Sequence, residues 1–211
     1  QKIMNRKNLD KYDSKIRIRT TKELEIRKHE FLKICYILDK LDIKYFLQTG
    51  ILLGAIRQNN FIPWDWDIEV SVFADEVVEK TDILINELNI AGFSIDKYFI
   101  ELSTFKIDFV GKLPLETTAY SIMGWNHDND KKIFWRKKSK VSDYLFLEMR
   151  KIKLFEKYHL APFPPEDCLT YQYGDWQKPL RSTDKTKYLT KDFSGISFID
   201  ILFKKILSFL K

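Results

Sequence analysis

Cysteine and histidine are scarce in this chain of 211 residues: Cys35 and Cys168 stand far apart, and His29, His127 and His159 match no metal-ligand spacing with them. A structural zinc site is therefore not expected, and two isolated cysteines supply no disulfide framework, so a reducing compartment is the natural expectation. No run of about 18 apolar residues is present, and the N-terminal stretch lacks the apolar centre of a signal peptide. The sequence reads as neither membrane-spanning nor exported. It opens on Gln1 rather than Met, so a trimmed chain or a fragment is expected.

What is there is a globular composition, with 45% hydrophobic and 31% charged residues. At this length one domain with extensions is expected, burying roughly 70% of the surface of the unfolded chain. The net charge of +6 fits an acidic ligand, a nucleic acid or an anionic membrane surface equally well. Residues 1–20 read as a basic, solvated arm, 21–192 as the catalytic domain, and 193–211 as an amphipathic C-terminal helix. That helix docks on the domain by default, with an interfacial position on anionic lipid as the alternative.

The stretch from Tyr45 to Val70 carries the chemistry. Asp65, Asp67 and Glu69 alternate with Trp66, Ile68 and Val70, and in an extended strand a period of two puts the three carboxylates on one face. Such an array is costly unless a cation, basic groups or open water absorb the charge. Oxygen-only ligands suit magnesium or manganese. Upstream, Gly50 and Gly54 flank a small apolar segment that leads to Arg57. If that segment opens a helix, its N-terminal amides face an anion such as phosphate, with Arg57 to grip it. Pro63 holds Ile62 extended just before the acids.

The run TGILLGAIRQNNFIPWDWDIEV, residues 49–70, resembles the signature of the LicD family, whose usual form is close to GTLLGxxRxxxxIPWDxDxD. Glu69 stands where a final Asp is usual. The family includes bacterial phosphocholine transferases and the fukutin-related proteins of animals. The resemblance implies an α+β fold, the mixed sheet flanked by helices of DNA polymerase β-like nucleotidyltransferases. It also implies metal-dependent transfer of a substituted phosphate from a CDP-activated donor to a hydroxyl of a cell-surface glycan, which is lipid-linked in some settings. Metal ligands are then expected among Asp65, Asp67, Glu69 and Asp108, and donor contacts from Gly50, Leu53, Gly54, Arg57 and Trp64. A cytoplasmic location follows from the same resemblance, with peripheral contact at the inner membrane face as an option.

The rest of the chain reads as scaffold and substrate wall. The spacing predicts a helix over 21–41, a strand over 43–47, a helix over 74–89, and strands over 93–95 and 98–102. In Phe105 to Val110, alternation sets Lys106 and Asp108 opposite Phe105, Ile107 and Phe109. A lone acid in such company is expensive unless paired or metal-bound. The resemblance favours a metal; pairing with Lys106, or exposure, is the bland alternative, and Lys106 facing phosphate is a further reading. Asn126 to Asp130 reads as a loop tip with ordinary turn chemistry, and Arg136, Lys137, Lys138 and Lys140 as solvated surface. Pro165 opens a helix that Gly174 stops. The Tyr173-Gly174-Asp175-Trp176 tetrad and Lys178 again resemble LicD, which makes Tyr173, Asp175 and Lys178 candidate donor contacts.

Two alternatives stand beside phosphotransfer. One is cytidylyl transfer from CTP to a phosphorylated or phosphonate alcohol. The other is an inactive glycan-binding module of the same fold. Nucleic-acid binding is not expected, because the basic residues are dispersed and no stacking motif is present.

Overall fold

The computed structural model describes residues 17–114, 118–137, 139–182, 184–190 and 193. Both predicted terminal segments, the arm up to residue 16 and the tail from 194, lie outside the described residues.

Helix α1, Thr21–Lys40, starts one residue later than its cap. Thr20 accepts a hydrogen bond from the Glu23 amide at 3.3 Å, while the Glu23 carboxylate accepts from the Thr20 amide at 2.8 Å. This reciprocal pair satisfies two otherwise orphaned donors. The apolar stripe of α1, with Phe31, Ile34, Cys35, Ile37 and Leu38, is buried, and two charged residues, Arg27 and Glu30, are buried with it. Glu30 is satisfied by the Tyr120 hydroxyl at 2.6 Å and the Lys112 amide at 2.6 Å.

Strand β1, Tyr45–Leu47, leads straight into helix α2, Thr49–Gln58, and β2, Asp67–Phe73, returns antiparallel to β1. The helix predicted over 74–89 is broken: α3, Ala74–Val77, gives way to a 3₁₀ turn at Val78–Lys80 before α4, Thr81–Ile90. The two short strands expected after it are a single strand, β3, Ser94–Phe99. Strands β4, Lys106–Val110, and β5, Ala119–Asp128, follow, then the hairpin of β6, Ile133–Arg136, and β7, Ser139–Ser142. The short helix α5, Tyr144–Leu147, precedes a second hairpin, β8, Met149–Leu154, and β9, Lys157–Pro162. Helix α6, Pro165–Tyr173, carries proline in its first turn and ends at Gly174, as the sequence predicts.

The strands form an open mixed sheet in the order β3-β4-β5-β2-β1-β9-β8, with β6 pairing to the distal part of β5. The β2–β5 and β1–β9 pairs are parallel, and the other pairs on the path are antiparallel. The architecture is thus α+β, an open mixed sheet flanked by helices. Among the described residues no helix is long and apolar enough to cross a membrane.

His159 on β9 is buried between α1 and β1, with Nδ1 3.2 Å from the Tyr45 hydroxyl and Phe31 against the ring. Burial, with Lys157 nearby, lowers its pKa to about 4 from the usual 6.5. The folded state therefore resists a proton that the unfolded chain accepts. Stability is full above pH 6.5 and is lost as pH falls toward 4, by about 2 kcal/mol between pH 7 and pH 5. Urea unfolding of the wild type and of His159→Phe at both pH values should differ in slope by that amount. Equal slopes would mean the ring is already charged or solvated in the fold.

Candidate active site

The site is built on the start of β2 and the loop before it. Pro63 begins a turn in which the Asp65 amide donates to the Ile62 carbonyl at 3.0 Å, so the strand opens at Asp67 and not at Asp65. Within β2 the expected alternation holds: Ile68 and Val70 are in the core, and Asp67 and Glu69 lie on the other face, half-buried. Asp65 joins them from outside the strand, in hydrogen-bond contact with Asp67.

Gly50, in the first turn of α2, is what makes room for this. A Cβ added there would stand 2.0 Å from Asp65 Oδ2. The anion that the sequence led us to expect at the start of α2 is thus met by a carboxylate of the chain itself, which the positive end of a helix favours. Gln48, just before the helix, is fully buried and accepts from Ser71 Oγ at 3.0 Å and from Trp125 Nε1 at 2.9 Å, which fixes the β1–α2 corner to β2 and β5.

Arg27 holds the acidic run from behind. Fully buried, it donates to the backbone carbonyls of Asp65 at 2.6 Å and Asp67 at 3.1 Å. Arg19 is also buried, its amide donating to the Pro63 carbonyl at 2.9 Å, which corrects its assignment to a solvated arm. Burial, followed by the neighbouring charge of Arg27, pulls the Arg19 pKa down to about 10.

Like charges crowd the front of the site. Burial raises the Asp65 carboxyl; Arg27 works against that rise and Glu69 with it. Burial, then Glu69 and Asp65, pushes Asp67 well above the usual carboxylate range. Facing them are Tyr173 of α6 and Tyr188, their rings 6.4 Å apart and inclined by 29°. Burial, and after it the field of the acids, raises both phenols, Tyr188 to about 12 and Tyr173 well above its ordinary value, so both remain neutral donors. The charge of Lys185 lowers Asp67, and the charges of Glu69 and Asp67 raise Arg136 of β6 against the lowering effect of its burial.

Asp108 shares this face of the sheet at a distance. It stands opposite Ser121 of β5, and Ser121 stands opposite Glu69 of β2, so the three form one row across β4, β5 and β2. Two strand spacings separate Glu69 from Asp108, about 10 Å. Asp108 is buried and already engaged: Lys106 Nζ lies 2.7 Å from one carboxylate oxygen, and Ser121 Oγ donates to the same oxygen at 2.5 Å. Asp108 is thus paired with Lys106 and Ser121, in the same sheet row as Glu69.

The remaining expected contacts divide. Arg57, in the last turn of α2, donates to the Trp176 carbonyl at 3.3 Å and lies 6.0 Å from the centre of the Trp64 ring, tying α2 to the segment after α6. Leu53 is half-buried on α2. Gly54 is small because a Cβ there would meet the Asn60 carbonyl at 2.3 Å, so close packing of the chain on itself accounts for it. Asp175 and Lys178 pair with one another at 2.6 Å on the surface, 60% and 84% exposed, and are not drawn into the acid cluster. Arg27, Arg19, Gln48, Tyr188 and Arg136 were missed by sequence reasoning. Each is brought to the site by long-range packing, which leaves no local pattern.

The oxygen donors present suit a hard divalent cation: Asp65 and Asp67 are in mutual contact and electrostatically strained toward one, and such ions take one or two carboxylates with water and substrate phosphate completing the shell. Among the described residues no ready-made group of three such ligands is present.

With this geometry in view, comparison with known proteins is direct. The family described as LicD/FKTN/FKRP, nucleotidyltransferase domain, matches residues 42–164. The chain belongs to the LicD family. The matched span begins just before β1 and ends just before α6, so it contains the acids of β2 and the Lys106–Asp108 pair. Among curated relatives, the lipopolysaccharide cholinephosphotransferase LicD of Haemophilus influenzae is 43% identical over 49 residues, 23% of this chain and 18% of that protein. The human ribitol 5-phosphate transferase FKRP is 37% identical over 41 residues, 19% of this chain and 8% of that protein. An uncharacterized protein of Rickettsia typhi is 25% identical over 146 residues, 67% of this chain and 43% of that one. The aligned parts thus span less than half of each of these relatives.

Proposed function

We propose that this LicD protein transfers a substituted phosphate from a CDP-activated alcohol to a hydroxyl of a glycan, on a polymerase β-like nucleotidyltransferase domain. The observation that carries this reading is the contact pair of Asp65 and Asp67, braced by Arg27 and crowded by Glu69. The names of two relatives, a cholinephosphotransferase and a ribitol 5-phosphate transferase, describe phosphoryl-alcohol transfer and support the same class. A magnesium ion, or manganese, would be held by Asp65 and Asp67, with Glu69 beside them. When bound it offsets phosphate charge and orients the donor.

The residues of the chain do the rest. Tyr173 and Tyr188, kept neutral, donate hydrogen bonds toward phosphate oxygens in front of the acids. Glu69, the acid set furthest along β2, is placed to take the proton of the attacking hydroxyl. The bond from the transferred phosphate to cytidine monophosphate breaks as the hydroxyl attacks, and cytidine monophosphate leaves.

The test is product identity. Incubated with magnesium, a panel of CDP-alcohols and glycan acceptors, the protein should release cytidine monophosphate. Release of pyrophosphate from CTP and a phosphorylated alcohol would replace this reading with cytidylyl transfer. A folded protein that turns over neither would support an inactive module.

A further inference from the structure

Beyond the acids, on the same face of the sheet, Thr104, Lys106, Met123, Arg136 and Ser139 line a pocket between β4, β5 and the β6–β7 hairpin. Its place in the sheet is fixed by register. Lys106 stands opposite Met123, and Met123 opposite Ser71, so this row lies two residues along β2 from Glu69 and four from Asp67. Two residues of strand are roughly 7 Å and four roughly 13 Å. The pocket therefore adjoins Glu69 and stands apart from the Asp65–Asp67 pair.

Its lining is basic. Lys106 is buried and lies 2.7 Å from an Asp108 carboxylate oxygen, and Lys97 Nζ lies 3.9 Å from the same carboxylate. Arg136, half-buried, has only soft neutral contacts: its Nη1 lies 2.7 Å from Met123 Sδ and its guanidinium 4.9 Å from the centre of the Trp125 ring. Among the described residues no carboxylate lies within 4.0 Å of it. Burial lowers its pKa, while the charges of Glu69 and Asp67 work the other way. A guanidinium in that state is costly to keep, and its planar fork matches the oxygens of a phosphate. Lys137 adds a further positive charge at the pocket wall.

We infer that this pocket is a second anion site of the substrate, in which Lys106 and Arg136 bind a phosphate group and the hydroxyls of Thr104 and Ser139 line its wall. The phosphate belongs either to the acceptor or to a part of the donor remote from the metal-held oxygens. The inference extends the transfer reading above, yet it is tested without metal or nucleotide, so the two fail separately.

The experiment is a calorimetric titration of the full chain with inorganic phosphate in chelator. Binding is expected in the wild type, weaker by at least about tenfold in Arg136→Met, intermediate in Arg136→Lys, and lost in Ser139→Asp, which sets a carboxylate in the pocket wall. Such a loss is the cost of one charge-assisted contact. Lack of binding by the wild type, or equal binding by Arg136→Met and Ser139→Asp, would overturn the site. Repeating the titration with magnesium and saturating CDP-choline then assigns the source. Phosphate that still binds places the anion on the acceptor; phosphate that is displaced places it on the donor. If CDP-choline itself does not bind while the variants still lose phosphate, the site stands and the choline donor is excluded.

Discussion

Asp67→Asn should reduce turnover by about a thousandfold or more, about 4 kcal/mol of transition-state stabilisation, while the protein stays as stable as the wild type or becomes slightly more so. The two halves of this expectation have different origins. The activity half follows from the carboxylate, one of two in contact at the start of β2 and the most strongly perturbed by its like-charged neighbours. An amide of the same shape cannot hold a hard cation as a carboxylate does. The stability half follows from the backbone. Arg27 binds the Asp67 carbonyl and not its side chain, and the pairing of Asp67 with Ala119 is a property of the strand. Nothing that holds β2 in place is lost, and repulsion from Glu69 and Asp65 is relieved, worth on the order of 1 kcal/mol. Thermal unfolding in chelator and turnover with magnesium measure the two halves. Retained turnover would sink the metal-ligand assignment. Lost turnover with a collapsed fold would show that the carboxylate is structural.

Arg27→Met should do the reverse and damage both. The methionine fills much of the arginine stem, but the carbonyls of Asp65 and Asp67 lose the donor that the fully buried Arg27 supplies. A buried acceptor left unsatisfied costs about 1–3 kcal/mol, and relief from burying a cation offsets part of the sum, so a net loss of about 2–4 kcal/mol is expected. For a domain of this size that is about 5–15 °C in melting temperature. Turnover should fall by about a hundredfold beyond any effect of unfolding, because the acidic run is no longer held at its angle to α2 and small misplacements of reacting groups are expensive. Arg27→Lys separates charge from shape. A single ammonium restores positive charge behind Asp65 but cannot span both carbonyls, so it should recover magnesium affinity better than it recovers stability. If Arg27→Met melts with the wild type and turns over normally, the clamp has no role.

Much of the centre of this protein could be read directly. Gly50, Pro63 and the alternation from Asp67 to Val70 are local signals with local causes, and α2, β2 and their order follow from them. Helix α6 could be read for the same reason, from Pro165 at its start and Gly174 at its end. The β8–β9 hairpin could not. Strand β8 is an edge, and its Arg150, Lys151 and Lys153 break any clean alternation because water lies on their side. The break between α3 and α4 was equally hidden, since a 3₁₀ turn keeps nearly the same apolar spacing as a continuous helix.

The sequence by itself determined the groups available here: closely spaced carboxylates, a glycine beside them, and membership of a family, because residue type and spacing along one short run carry all three. The tertiary structure alone decided how that chemistry is supported. It placed Arg27 of α1 behind the acids and Tyr188 in front, gave Asp108 to Lys106, and turned Arg136 from an expected surface charge into a half-buried cation facing the site. These contacts join residues distant along the chain, and they exist only once the sheet has set its strands side by side.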